Sequence, residues 1–330
     1  MRDRLSRVSR RSPCAVCGRS DKACLFRPDG SGVLCSQRAS DRPARGGCIQ
    51  AWWHYFDDPA RPTPKAAPAS PPKPEQFRAP VEHVDAVLTT LIRAHLTLAP
   101  EHHQSLEARG LPPERVRADG YASTPDERRG DEIAASLAEF DLRGVPGFFR
   151  DGSRWRMKRY PNGFFIPVRN ERSQIVGLQI RCDDPKAGKY LWFSSANMRE
   201  GTGSGAPVHF ARPHLLPAAS EVLITEGSLK ANVIAHFTGS PVVAAAGVGN
   251  FGQDFGARLY ALAPHVTPII AFDADWMIKP QVAAALEKIK KELKRAGFRI
   301  KVRTWPSRHK GLDDFLLACR VSSSRLEVAA

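Results

Sequence analysis

Read for the alternation of apolar and polar positions, the second half of the chain is the more regular. From Glu221 onward it runs VLIT, a helical stretch from about Ser228 to Phe237, PVVAAA, a helix near Gly256 to Ala263 and PIIAF. A strongly amphipathic helix from Gln281 to Ala296 follows, then a strand FRIKVRTW and a last helix entered at GLDDFLLA. Strands alternating with helices at this rhythm predict a parallel sheet with helices on both faces. Upstream the period changes. VEHVDAVLTTLIRAHL sets Val81, Val84, Leu88, Leu91 and Ile92 at helical spacing, and SLEARGLPPERVRADGYAS reads as helix, glycine stop and proline-started helix. Between Arg154 and Ser194 the runs FFIPV, IVGLQI and KYLWF predict short strands. Asp57 to Pro80 is too rich in proline for an element interior and too poor in apolar residues for a core, so it predicts an extended linker. No internal repeat stands out.

Charge narrows the class of partner. The chain has 330 residues and a formal net charge of +15. That excess suits a polyanion, nucleic acid before membrane, because no basic amphipathic anchor accompanies it. The arginines of MRDRLSRVSRR have no apolar stretch behind them, so a secretory signal is not expected. No run approaches the roughly 18 apolar residues of a membrane helix. The expected compartment is the cytoplasm, where cysteines serve as ligands or thiols and not as disulfides.

Two sets of residues carry candidate chemistry. In parallel sheets, ligands sit at the carboxyl ends of strands, and the acids fall there. Glu226 follows VLIT, Asp273 and Asp275 follow PIIAF, and Asp313 and Asp314 come shortly after KVRTW. Residues two apart on a strand share a face, so Asp273 and Asp275 would crowd one spot unless a cation sat between them. Hard oxygen ligands suit Mg2+ or Mn2+ and metal-assisted phosphoryl transfer. The second set is N-terminal. Cys14 and Cys17 form the CxxC of PCAVCG, and Cys24 and Cys35 follow with a DG turn between them. Thiolates select Zn2+, and a structural site wants four; Cys48 or His54 stands in reserve. A thioredoxin-like role is not expected, because no βαβ context surrounds the CxxC. Trp52, Trp53, Tyr55 and Phe56 fit either base stacking or closure of the small ribbon's core. Cys182 and Cys319 read as ordinary core or surface residues. There is no GxxxxGK[ST], so unwinding of DNA is not expected.

ITEGSLKANVIA, PVVAAAGVGNF, IIAFDADW and KGLDDFL resemble the successive motifs of a Toprim domain, and the segments before them resemble the polymerase core of bacterial DnaG-type primases. The KGLDDFL ending and compact length are similar to the Toprim primase-like proteins of phages, plasmids and integrative elements. The resemblance implies a multi-domain α/β chain: a zinc ribbon over 1–56, a linker over 57–80, a helical and basic-strand part of a primase-like α+β core over 81–215, and a Toprim Rossmann-like parallel sheet over 216–330. It implies a DNA primase, a nucleotidyltransferase that makes short primers on single-stranded DNA from nucleoside triphosphates, with a separate replicative helicase as partner. Glu226 would then activate the attacking hydroxyl or help hold Mg2+ or Mn2+. Asp273 and Asp275 would bind the metal that carries the nucleotide phosphates, and Asp313 would complete the site with Asp314 nearby. Arg169, Arg181 and Lys189 would hold template and nucleotide. Lys230 would offset negative charge or be a solvated helix residue. A Toprim nuclease and a non-catalytic DNA-binding accessory are the alternatives.

Overall fold

The computed structural model describes residues 5–9, 12–18, 20, 24–27, 31–44, 51–56, 76–247, 249–252, 254–274 and 280–328. The chain divides into two compact units, Met1–Glu75 and Gln76–Ala330. Residues 57–75 of the expected linker, together with Cys48 and Asp275, lie outside the described residues.

In the first unit, β1 (Ser6–Arg7), β2 (Leu25–Phe26), β3 (Gly32–Cys35) and β4 (Trp52–Tyr55) form an antiparallel sheet in that order. Phe26 pairs with Val33, so the chain reverses between Phe26 and Gly32, where the DG turn was expected. The core is small: Val8, Cys14, Cys24, Val33 and Cys35, with Val16, Cys17 and Phe26 against it. Cysteines make up half of that cluster, as befits a unit too short to bury a self-sufficient apolar core.

The second unit opens with α1 (Val81–Thr90), α2 (Pro100–Glu107) and α3 (Pro113–Asp119). Helix α3 starts on proline and stops at Gly120, whose φ of 80° is the left-handed geometry that glycine adopts without a Cβ clash. The residues just before α1 are anchored in this unit. Arg78 donates to the carbonyls of Gly203, Ser204 and Val176, and the Ala79 N–H bonds to the Gly144 carbonyl. Then come β5 (Ala122–Ser123), α4 (Glu127–Ser136), the hairpin β6 (Phe148–Asp151) and β7 (Arg154–Met157), β8 (Gly163–Arg169), β9 (Ile175–Cys182) and β10 (Tyr190–Trp192). Strands β10, β9, β8 and β5 make one antiparallel sheet in that order.

The regular half supplies β11 (His209–Ala211), β12 (Glu221–Glu226), α5 (Ser228–Thr238), β13 (Val242–Ala245), α6 (Phe255–Leu262), β14 (Thr267–Ile270), α7 (Pro280–Arg295), β15 (Lys301–Val302) and α8 (Leu312–Val328). The sheet order is β11-β13-β12-β14-β15, with β12, β13, β14 and β15 parallel and β11 antiparallel at one edge. Apolar clusters on both faces confirm the expected layering: α6 and α7 pack on one, α5 and α8 on the other. FRIKVRTW yields a much shorter strand than its alternation suggests. Only Lys301 and Val302 pair, on an edge whose one neighbour is β14, while Phe298 is drawn into the core below.

Helix α5 is buried almost all round, since β13, β11, β8 and α8 surround it. Leu229 and Val233 pack into a cluster with Leu106, Leu111, Val116, Phe164 and Ile166, which joins the two sheets. A buried polar chain runs beside them. Burial pushes His209 down to about 4, so its ring is neutral. Its Nδ1 accepts the Arg169 N–H at 3.0 Å, and Nε2–H donates to Asn232 Oδ1 at 2.8 Å. Asn232 Nδ2 donates to the Tyr121 hydroxyl at 2.8 Å. Asn232→Leu strands two buried polar groups at once and is expected to lower stability by about 2–4 kcal/mol, as urea unfolding followed by circular dichroism would measure.

Candidate active site

Strand β12 delivers Glu226 to its carboxyl end, and Gly227 turns the chain straight into α5 with φ 82°, a left-handed value suited to glycine. Beyond β14 the chain keeps company with β12: the Ala271 N–H bonds to the Ile224 carbonyl at 2.8 Å, and Thr225 Oγ1 donates to the Ala271 carbonyl at 3.0 Å. This brings the Asp273 N–H to Glu226 Oε1 at 2.9 Å. The Ala274 N–H then bonds to the Lys310 carbonyl at 3.0 Å, pinning the loop that carries Gly311 and Asp313. Three sequence-distant carboxylates, Glu226, Asp273 and Asp313, thus share the edge of one sheet.

They line a cavity of about 430 Å³ together with Arg109, Lys189, Lys230, Lys310 and the flat rings of Tyr190 and Trp192. Lys230 stands between two of the carboxylates. Its ammonium contacts Asp273 Oδ1 and stands 3.8 Å from Glu226 Oε1, with only 17% of its side chain exposed. Being four residues past Glu226 on the helix that leaves the strand, it folds back over the strand end. Arg109 lies 3.9 Å from Asp313 Oδ2. Even so, Glu226 Oε2 and Asp313 Oδ1 are buried with no hydrogen-bond partner. Burial pushes Glu226 up to about 7; Lys230 opposes the shift and Asp273 adds to it. Burial also raises Asp313 against the pull of Lys230, with Asp314 adding its repulsion. Lys230 itself rises despite its burial, because Glu226, Asp273 and Asp313 favour its charged form. Two orphaned carboxylate oxygens in a concave site lined by four carboxylates fit a divalent cation with oxygen ligands.

The remaining residues named from sequence are divided. Asp314 is exposed at the rim, where Oδ2 accepts the Gly311 N–H at 3.3 Å. Lys189 lines the cavity, and Arg181 stands beside it on the same sheet, its guanidinium over the Tyr190 ring. Arg169 is elsewhere. The pairing of β8 with β9 shifts between Val168 and Arg169, and the side chain turns to a second cavity beside Asp119. Sequence reading missed Arg109 and Gly311. A Cβ on Gly311 would collide with Asp313 Oδ1 and stand 3.2 Å from both Asp273 Oδ1 and Lys230 Nζ, so the site needs glycine there. The signal was present only as the RG and KG pairs of quoted motifs, which carry no distance information.

In the first unit the Sγ atoms of Cys14, Cys17, Cys24 and Cys35 all lie within 4.8 Å of one another. Cys17 to Cys24 is 3.7 Å and Cys24 to Cys35 is 4.0 Å. Zinc–sulfur bonds of about 2.3 Å in a tetrahedron place sulfurs about 3.8 Å apart, so the four fit Zn2+. The Gln37 and Arg38 N–H groups point at Cys35 Sγ from 3.4 and 3.3 Å. His54 is turned away, with Nε2 bonded to the Arg38 carbonyl. Trp53 and Tyr55 do not close the core. They stack on the surface at 5.8 Å with Arg27 over both rings and Arg42 over Tyr55.

Purified protein is expected to carry one zinc per chain by atomic absorption, and Cys24→Ser to carry at least tenfold less. The raised Glu226 gives a pH signature without divalent metal. Its folded-state value exceeds the unfolded one, so the folded state holds the proton more tightly and stability falls as pH rises from about 4.5 to about 7. Glu226→Gln is expected to be more stable than wild type at pH 8, by on the order of 2 kcal/mol, and to lose that advantage near pH 4.5, as thermal melts in chelator would show.

Residues 217–322 match a family described as a domain of unknown function (DUF3854), about a third of the chain. Among curated protein sequences no relative matches. Solved structures do. The zinc-binding and RNA polymerase domains of the Aquifex aeolicus primase align with a TM-score of 0.54 at 16% identity, over 72% of this chain and 57% of that one. The RNA polymerase domain of Mycobacterium tuberculosis primase DnaG, in complex with a double-stranded DNA oligomer with a 6-nucleotide overhang, aligns with a TM-score of 0.57 at 21% identity, over 76% and 79% of the two chains. A DnaG primase catalytic domain bound to single-stranded DNA gives 0.53 at 16% identity, over 74% and 78%. The chain spans little more than half of the Aquifex structure. At these identities the likeness establishes the fold: an α/β architecture shared with DnaG primase catalytic domains, joined to a four-cysteine cluster that fits a zinc ribbon.

Proposed function

We propose that the chain is a primase-like nucleotidyltransferase that joins nucleotides on a single-stranded DNA template at the acidic cavity. The observation that carries this reading is the meeting of Glu226, Asp273 and Asp313 at one sheet edge, with two orphaned carboxylate oxygens, in a fold shared with primase catalytic domains. Glu226, Asp273 and Asp313 would hold Mg2+ or Mn2+, with Asp314 at the rim and Asp275, outside the described residues, two positions from Asp273. When bound, the ion supplies charge neutralisation for the nucleotide phosphates and acidifies the attacking hydroxyl.

The rest is work for the chain's own groups. Glu226, at the end of β12, would either take the proton of the attacking sugar hydroxyl or help hold the ion. The start of α5 directs its dipole toward the cavity, and Lys189 and Lys310 add positive charge for phosphate. Tyr190 and Trp192 offer faces on which a base can stack. Lys230, held by Asp273 and Glu226, is a counter-ion inside the fold, and its ammonium would be free to meet phosphate if an ion took its place among the carboxylates. The expected division into a ribbon over 1–56, a linker over 57–80, a helical and basic-strand part over 81–215 and a Toprim-type sheet over 216–330 belongs to this proposal. So do a cytoplasmic setting, a helicase partner and kinship with primase-like proteins of mobile elements. Among the described residues no helix is long and apolar enough to cross a membrane.

The test is primer synthesis on single-stranded DNA with labelled nucleotides and Mg2+ or Mn2+. Wild type is expected to make short products, and Asp273→Asn/Asp275→Asn and Gly311→Ala to make at least 100-fold less. Products of equal yield from the double variant would overturn the site. Shortened template in the wild-type lane alone points to a nuclease, in which water takes the place of the sugar hydroxyl. Tight DNA binding with neither activity marks an accessory.

A further inference from the structure

A second cavity, of about 210 Å³, lies among α3, the end of β8, β11 and the middle of α5, and shares no lining residue with the acidic one. Arg93, Arg115, Arg169 and Arg212 all line it, against the single carboxylate of Asp119. Two of the guanidiniums are locked. Arg115 grips Asp119 through Nε at 2.9 Å and through Nη2. Arg169 donates from Nη1 to the Ser173 carbonyl at 3.0 Å and from Nη2 to the Asp119 carbonyl at 3.3 Å. The other two, Arg93 and Arg212, have no hydrogen bond or ion pair among the described residues. Burial is the main reason the basicity of Arg212 and Arg169 falls; Arg115 adds repulsion at Arg212, and Arg93 and Arg115 add it at Arg169, while Asp119, joined at Arg169 by Asp85, favours the charged forms.

The backbone adds a second sign. Arg212 has φ 54° and ψ 51°, the left-handed region that disfavours side chains other than those of asparagine, aspartate or histidine. Glycine would sit there without strain, yet the position carries a guanidinium aimed at a concave, positively charged surface. Four guanidiniums around one carboxylate, two of them without a hydrogen bond or ion pair among the described residues, make an anion site, and arginine forks match phosphate geometry. The volume sets the size of the ligand, since pockets that enclose drug-sized molecules measure roughly 300–1,000 Å³. This hollow accepts a phosphate or diphosphate group but not a whole nucleotide.

We propose that this cavity is a phosphate-binding site distinct from the acidic cavity, in which Arg93 and Arg212 close on the phosphate and Arg115 and Arg169 form its fixed floor. The phosphate belongs either to the backbone of a nucleic-acid strand or to a free phosphate or diphosphate. The site does not depend on the chemistry proposed for the carboxylates.

The experiment compares the full-length chain with Arg212→Gly, without divalent ions. Glycine relaxes the left-handed backbone, so the ligand-free melting temperature of the variant is expected at or above that of wild type, which separates loss of binding from loss of fold. Pyrophosphate is set against sodium chloride at matched ionic strength, because general salt effects act on both proteins alike. A melting temperature raised by about 2–4 °C more in wild type than in the variant identifies a free-phosphate site. Where that difference is absent, single-stranded oligonucleotide binding is read by fluorescence anisotropy across salt concentrations. An affinity at least fivefold weaker in Arg212→Gly, with the log–log salt slope reduced by about 0.7, assigns the site to a backbone phosphate. Equal pyrophosphate shifts together with equal oligonucleotide affinities overturn the proposal.

Discussion

Like charges gathered out of water must be compensated, and the second unit is arranged around that requirement. Parallel strands β12 and β14 and the loop after β15 bring Glu226, Asp273 and Asp313 to one sheet edge, where burial raises the proton affinity of two of them. Crowding there would favour protonated over charged carboxylates without a cation. Lys230 supplies one from inside the fold, and it reaches the site only because Gly227 lets α5 start one residue after the strand ends. The position of α5 is therefore an electrostatic matter as much as a packing one.

Everything that holds α5 serves this end. The Leu229 and Val233 cluster ties it to the antiparallel sheet, and the chain Tyr121–Asn232–His209–Arg169 ties it to the segment after α3, to β11 and to β8. The same helix forms a wall of both cavities, contributing Lys230 to the acidic one and Asn232 and Ala235 to the basic one. Helix α5 stands between the two cavities, so the carboxylates of one and the arginine cluster of the other line separate hollows. In the first unit a different device does the work of a core, four sulfurs drawn to the spacing of a tetrahedral ion.

Much of this was legible because chemistry and period coincide in short segments. Cys14, Cys17, Cys24 and Cys35 stand out by residue type, and the structure brings those four together and leaves His54 apart. The strand and helix rhythm after Glu221 follows from apolar run lengths, which are local. What local pattern cannot hold is direction. Arg181 pairs with Phe164 near the start of β8 while Arg169 ends that strand, so Arg169 lies away from Arg181 and Lys189, and only strand pairing reveals it. FRIKVRTW has the composition of a long strand, but an edge with one neighbour pairs just two of its residues.

By itself, then, the sequence determined the fold class, the order of strands and helices in the second half and the residue types capable of binding metal, because each depends on neighbours a few positions away. Which carboxylates meet was decided by tertiary structure, since Glu226 and Asp313 are brought together by the sheet and not by spacing. Tertiary structure also decided that Lys230 faces inward, that Gly311 leaves no room for a side chain, and that four scattered arginines share one hollow. These are facts of distance through space, and they exist only once the sheets and α5 have packed.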